Sequence, residues 1–305
     1  MSVSVIIPTY NGAHKIMNVL RGLEQQQQMP DEVIVVIDGS TDDTAAMLRS
    51  QQFRFPAFRI AEQENGGRAK VRNRGAREAT GSLLIFFDDD MRPFPQCVAA
   101  HIAHHRNHPG SIMTGVQKEE LRASDPDIVQ FKSFLSSKWS TSLEHSGDQP
   151  LPEDRPFITA ANFSVPAAMF NDLGGFDERL TDAEDYDLAV RAVQKKVPLF
   201  YNPGALAWHD DYITCAGYIK RQRQYTAAQQ RLVTLKPELY PDTHQYAAQP
   251  PTGLKAVFFK FFCHRFWIST VDKNRWTFLP KALRYRLYDW IITANGSLYP
   301  GKVKL

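Results

Sequence analysis

Five large apolar residues, Leu83-Leu84-Ile85-Phe86-Phe87, run without a polar break into three aspartates, Asp88-Asp89-Asp90. A run of this kind, entered through Gly81-Ser82, predicts a strand buried on both faces. Three adjacent carboxylates cannot be desolvated without partners. A cation is therefore expected at the end of this strand. A divalent metal with oxygen ligands, itself holding a phosphate, is the economical choice. Alternation along an extended chain points Asp88 and Asp90 one way and Asp89 the other. Asp88 and Asp90 are thus the expected working pair, and an acidic loop is the plain alternative.

The surrounding sequence alternates strand and helix. Residues 3–7, 32–37, 58–61, 111–116 and 199–202 read as strands, and 12–28, 66–79 and 94–108 as helices. That order predicts an α/β fold: a doubly wound, mostly parallel sheet with helices on both faces. Ligands in such sheets sit beyond the carboxyl ends of the strands, where strand order reverses. Thr9-Tyr10-Asn11, Asp38-Gly39 and the aspartate triplet lie at three such ends and are expected to converge. Asp38 suits a base or ribose, and Ser40 or Thr41 suits the cap of the next helix. The absence of G-x-G-x-x-G after the first strand, and of G-x-x-x-x-G-K-[ST], disfavours a dinucleotide fold and a P-loop NTPase. Gly66-Gly67 opens a helix bearing Arg68, Lys70, Arg72, Arg74 and Arg77, of which one face is expected to be solvated and another to turn toward phosphate.

Further on, a poorly periodic region from about Lys118, followed by a Pro-rich loop over Pro150–Arg155, reads as a mobile or acceptor-binding insertion. Asp185 shares a helical stripe with Leu188, Ala189 and Ala192, so it is expected to face the interior, while the stripe of Asp187 is mixed. Asp185 is a candidate general base, or equally an acid favoured at a helix N-terminus. His209, after a strand and beside Asp210-Asp211, is a candidate metal ligand. His101, His104, His105 and His108 share a helix face at a spacing that suits zinc, without a nearby carboxylate or Cys to complete a site.

Charge is unevenly spread. Residues 211–305 hold 15 Lys and Arg against 5 acids, net +10, which leaves −7 on residues 1–210. The same segment holds 17 of the 35 aromatics. A boundary near residue 210 is expected, with a catalytic domain over 1–210 and a basic, aromatic, helical extension over 211–305. No apolar run approaches the ~20 residues that cross a bilayer. The extension is therefore expected to touch an anionic surface or lipid-linked acceptor, or equally to pack on the first domain or a second subunit in a homodimer. Cys97, Cys215 and Cys263 form neither a disulfide framework nor a zinc ribbon, which fits a reducing, cytoplasmic compartment. The N-terminal residues go straight into a strand and do not read as a signal peptide.

Taken in order, the motifs resemble those of family 2 glycosyltransferases of the GT-A fold. They are Pro8-Thr9-Tyr10-Asn11, Asp38-Gly39-Ser40-Thr41-Asp42, Asn65-Gly66-Gly67 with Arg72-Asn73 and Gly75, Asp88-Asp89-Asp90, Gly174-Gly175-Phe176-Asp177-Glu178, Glu184-Asp185-Tyr186-Asp187-Leu188 and His209. The resemblance covers residues 3 to about 210. It implies transfer of a sugar from a nucleoside diphosphate donor, a UDP-sugar or close relative, to a saccharide or lipid-linked acceptor in cell-surface polysaccharide or glycolipid assembly. It implies Mn²⁺ or Mg²⁺ between Asp88 and Asp90, reached by His209, and Asp185 as the base. The donor site it implies is formed by Pro8, Thr9, Tyr10, Asp38, Asn65, Gly67, Arg72, Asp88 and Asp89, with Asp38 at the nucleoside. Ile37-Asp38 stands where many members have two acids, which leaves one carboxylate for the base and ribose; no Q-x-x-R-W follows and no transmembrane helix is expected, and both speak against a processive synthase. One base without a carboxylate nucleophile implies single displacement and inversion. A nucleotidyltransferase should carry a Gly-rich basic loop after the first strand, and a non-catalytic sugar-nucleotide module would not need Asp185. A scaffold built on the C-terminal extension would leave the acidic cluster unexplained. No nucleic-acid partner is expected.

Overall fold

The apolar runs form the middle of an eight-stranded sheet in a computed structural model, which describes residues 1–240, 251–299 and 302. The strands are β1 (Val3–Thr9), β2 (Glu32–Asp38), β3 (Phe58–Gln63), β4 (Leu83–Phe87), β5 (Met91–Pro93), β6 (Ile112–Lys118), β7 (Asn162–Pro166) and β8 (Leu199–His209). Their order is β3-β2-β1-β4-β7-β6-β8-β5. The first four in that order are parallel, as are β6 and β8. β7 runs antiparallel to both its neighbours, and β5 antiparallel to β8. The chain leaves β1 outward through β2 and β3, then returns to lay β4 on the other side of β1. That reversal puts the ends of β1 and β4 at the point where such sheets open a crevice.

Among the described residues seven helices lie between or after these strands up to residue 194: α1 (Ile16–Glu24), α2 (Thr44–Ser50), α3 (Arg68–Glu78), α4 (Cys97–Asn107), α5 (Asp127–Glu144), α6 (Ala167–Asp172) and α7 (Glu184–Gln194). Val5, Ile7, Ile85 and Phe87 join one core with Leu20 and Ile102. Ile6, Leu84 and Phe86 join another with Phe163 and Phe176. Both faces are covered, which is why these strands carry no polar alternation. α3 lies very close to β1: a Cβ on Gly75 would stand 2.4 Å from Ile6 Cγ2. Gly75 therefore sets how near Arg72, one turn earlier, comes to the strand ends.

Several sequence expectations are corrected. β4 stops at Phe87, and the Met91 amide donates to the Asp88 carbonyl at 3.1 Å. The aspartates thus form a turn, so strand alternation does not sort their side chains. Residues 118–156 contain the 18-residue helix α5. Asp187 is fully buried and paired with Arg191 at 2.8 Å, although the rest of its stripe is mixed as expected, with Val190 and Arg191 half-buried and Gln194 exposed. α2 is not capped by Ser40 or Thr41; the Asp42 carboxylate accepts from the Thr44 amide at 3.1 Å, while Ser40 accepts from the Asn11 amide. The histidines of α4 are core groups. His101 bridges Ser164 and Asn162, His104 contacts Ser111, and His105 contacts Ser164. Burial pushes their pKa values down to about 4, 4 and 3, so they are neutral.

Two compact units are present: residues 1–120 with 138–211, and residues 121–137 with 212–305. The second holds α8 (Cys215–Leu235), α9 (Gly253–Phe262), α10 (Arg265–Asp272) and α11 (Lys281–Leu298). Its core gathers Phe131, Ile219, Tyr288 and Ile291. Buried Asp127 accepts from Arg284 Nε at 2.6 Å and from the Tyr288 hydroxyl at 2.9 Å. Residues 241–250, 300–301 and 303–305 of the segment expected to be helical lie outside the described residues. Among the described residues no helix is long and apolar enough to cross a membrane.

The Gly75 contact can be tested alone. Gly75→Val should overpack α3 against Ile6 and cost about 1–3 kcal/mol, seen as a lower urea midpoint by circular dichroism. An unchanged midpoint would mean that α3 rides away from β1 freely.

Candidate active site

Beyond the ends of β1, β2 and β4 lies a cleft of about 320 Å³, lined by Pro8, Thr9, Tyr10, Lys15, Asp38, Asn65, Gly67, Arg68, Val71, Arg72 and the three aspartates. The strand ends supply Thr9 and Asp38, the turn after β4 supplies the triplet, and α3 supplies Arg68, Val71 and Arg72.

Each aspartate has its own partner. Asp88 Oδ1 accepts from Arg72 Nη2 at 2.6 Å. Asp89 accepts from Thr9 Oγ1 at 2.6 Å and pairs with Lys15 Nζ at 2.7 Å. Lys15 Nζ also stands 3.6 Å from Asp90 Oδ2. Gly12 leaves room for this arrangement, because a Cβ there would lie 2.0 Å from Thr9 Oγ1. The other oxygen of Asp90, Oδ1, is buried without a hydrogen bond and lies 3.6 Å from His209 Nε2. β5 makes that approach possible: it pairs with β8 in a register that sets Met91 opposite His209, and the Asp210 amide donates to the Asp90 carbonyl at 2.8 Å.

The charges divide unequally. Partial burial works against the Asp88 carboxylate, but the Arg72 guanidinium outweighs it and holds the pKa below the usual range. Burial pushes Asp89 up to about 6; the neighbouring Asp90 adds to this, and Lys15 and Thr9 offset it in part. Burial lowers the pKa of Lys15, but Asp89 and Asp90 more than reverse that. Arg72, 4% exposed, also donates to Glu184 Oε1 at 2.5 Å, and Glu184 is 3% exposed. One guanidinium thus ties the end of β4 to the start of α7.

Asp38 is occupied by the protein. Its carboxylate accepts from Gln63 Nε2 (2.7 Å) and from the Gly66 and Gly67 amides (2.8 and 2.9 Å), and its carbonyl accepts from Asn65. It shapes the 65–67 loop as much as it faces the cleft. Asp185 does not line the cleft; it follows Glu184 on α7, and the Tyr186 and Ala160 amides hold its carboxylate at 2.8 and 3.2 Å. Burial and the adjacent Glu184 raise its pKa to about 6 against the pull of Arg72.

Among the described residues no group of three or more His, Cys, Asp and Glu side chains is arranged as a metal cage. Asp90 Oδ1 and His209 Nε2 nevertheless fit a divalent ion, since one is an orphaned carboxylate oxygen and the other an imidazole nitrogen beside it. Asp88, the other expected ligand, is turned onto Arg72. Sequence reasoning missed two residues of this network. Lys15 carries no motif, and the need for a cation at the triplet was the only signal for it. Glu184 stood in a recognised motif, but its pairing across more than a hundred residues had no local trace.

The family model described as glycosyl transferase family 2 matches residues 4–174. The chain is 31% identical over 238 residues to the uncharacterized glycosyltransferase YfnE of Bacillus subtilis (strain 168), covering 64% of this chain and 61% of that protein. A mannosyltransferase of Pyrobaculum calidifontis in complex with GDP-Man and Mn²⁺ superposes with a TM-score of 0.63 at 18% identity, covering 96% of this chain and 84% of that one. TarS of S. aureus in complex with UDP gives 0.54 at 17% identity, covering 97% and 89%. At these identities the likeness is one of fold, the GT-A type. The chain spans about half to three-fifths of the length of the curated relatives it matches first.

Lys15 can be tested directly. Lys15→Met leaves Asp89 and Asp90 without their shared ammonium. In EDTA it should lose about 1.5–3 kcal/mol, the scale of a hydrogen bond to a charged group, read from urea denaturation. An unperturbed curve would show that the carboxylates do not depend on Lys15.

Proposed function

The chain belongs to glycosyl transferase family 2, and from that premise we propose that its cleft binds a nucleotide sugar and delivers the sugar to an acceptor hydroxyl. One observation carries this reading: three carboxylates and their cations sit at the crevice of the sheet, joined through Arg72 and Glu184 to Asp185. Asp38, Asn65 and Gly67 form the nucleoside end. Lys15, Arg68 and Arg72 supply positive charge along the diphosphate. Asp90 and His209 would hold Mn²⁺ or Mg²⁺, which would supply positive charge against the departing diphosphate. With only two protein donor atoms, ion and donor should bind interdependently.

Asp185 takes the proton of the attacking hydroxyl. A pKa raised to about 6 leaves it ionised at neutral pH yet more basic than an ordinary aspartate. Glu184 is held by Arg72 and is not offered as a nucleophile, so a single displacement with inversion follows. A uridine nucleotide is the donor we propose, with guanosine as its rival; the acceptor class, a saccharide or lipid-linked hydroxyl of cell-surface assembly, follows the family. Thermal-shift screening of UDP, GDP, dTDP and CMP, with Mn²⁺ or EDTA, should give stabilisation by UDP that needs the metal. Stabilisation by none of them would remove the nucleotide-sugar reading, and transfer with retained anomeric configuration would remove single displacement.

Two further outcomes are expected at Asp185. Asp185→Asn should keep donor affinity in calorimetry and lose ~10²-fold or more in turnover, because a base acts in the transition state. Near-normal turnover would pass the role to another carboxylate. In the wild type, kcat/KM should fall as pH drops through about 6, since the base must be unprotonated. A profile flat down to pH 5 would contradict the assignment.

A further inference from the structure

The second unit carries an apolar stripe that is largely exposed among the described residues, although Phe258 also packs against Phe262 and Trp290. Leu254, Val257, Phe258 and Phe261 stand on α9 at i, i+3, i+4 and i+7, the spacing of one helix face. Such a face normally points into a core. Here a different side serves the core, through Phe259 and Phe262. Leu254, Val257 and Phe261 are 90%, 66% and 59% exposed, and Phe258 is 40% exposed. The patch continues into α10: Phe261 and Phe266 each lie 5.1 Å, ring to ring, from Trp267, and Phe266 is also exposed.

Cations outnumber acids along the sequence around this patch. Residues 251–288 contain eight Lys and Arg, of which Arg284 is taken by Asp127, and one acid, Asp272. The Asp272 carboxylate is occupied by the Cys215 and Ala216 amides at the start of α8. Lys255 and Lys260 lie on α9 itself and are exposed. An apolar protein groove would complement the stripe but leave the cations unanswered. An anionic bilayer answers both, because apolar side chains enter the boundary between headgroups and acyl chains while Lys and Arg stay at the phosphates. We propose that α9 is an interfacial anchor, laying its Leu254–Phe261 face on a membrane that carries anionic lipids. The contact is peripheral, and it stands independently of the catalytic reading.

Co-sedimentation of the full chain with vesicles tests it. Phosphatidylcholine vesicles with roughly 30% phosphatidylglycerol should bind the protein at least about tenfold better than phosphatidylcholine alone. Binding should weaken between about 50 mM and about 500 mM salt as screening shortens. Leu254→Ser with Phe261→Ser, and separately Lys255→Gln with Lys260→Gln, should each lower partitioning about tenfold or more. These side chains are exposed, so circular dichroism and melting temperature should stay as in the wild type. Binding to neither vesicle, or binding that both double variants leave unaltered, would overturn the anchor. So would a concentration-dependent dimer, without vesicle binding, that the same variants dissociate, for the face would then belong to a second copy.

Discussion

A buried guanidinium ties two elements of the first compact unit together. Arg72 is 4% exposed and serves two carboxylates, Asp88 from the turn after β4 and Glu184 from the start of α7. Desolvating such a group costs several kcal/mol unless its partners are well placed. Here both partners lie within 2.6 Å, and the ring of Phe176 lies 5.8 Å away. The close approach at Gly75 is what lets α3 carry the guanidinium there. Sequence, packing and electrostatics thus meet at one residue. Removing it would strand two carboxylates at once.

The same logic separates the three aspartates. Left together they would repel, so each is committed differently: Asp88 to Arg72, Asp89 to Thr9 and Lys15, Asp90 toward His209. Of the three aspartates, Asp90 is the one that keeps a buried oxygen without a hydrogen bond among the described residues. Asp185 gains its raised pKa from the far side of the network, through burial and the adjacent Glu184. The ends that would meet donor and acceptor are therefore electrostatically linked through Arg72.

Much of this was legible in the sequence because its signals are local. Uninterrupted apolar runs announced strands covered on both faces, and polar residues at their ends announced the crevice. The stripe of Leu188, Ala189 and Ala192 announced which way α7 faces. Non-local relations were not legible. The antiparallel insertion of β7 depends on pairing across some eighty residues, as the register Leu84↔Val165 shows. Asp187 sits on a mixed stripe, and its own complete burial was not legible because it depends on the ion pair with half-buried Arg191. Lys15 has no motif; it matters because the fold brings it to Asp89. The turn at Asp88–Asp90 defeated strand alternation because one backbone hydrogen bond, from Met91 to Asp88, ends the extended chain.

The central claim is that Arg72 couples the donor end of the cleft to the base. Calorimetric titration of UDP with Mn²⁺ into the wild type and Arg72→Met, with folding checked by circular dichroism, tests it most directly. The account predicts measurable binding to the wild type and an affinity at least ~10-fold lower in the folded variant, about 1.4 kcal/mol or more. Equal affinity for UDP in both proteins would contradict it.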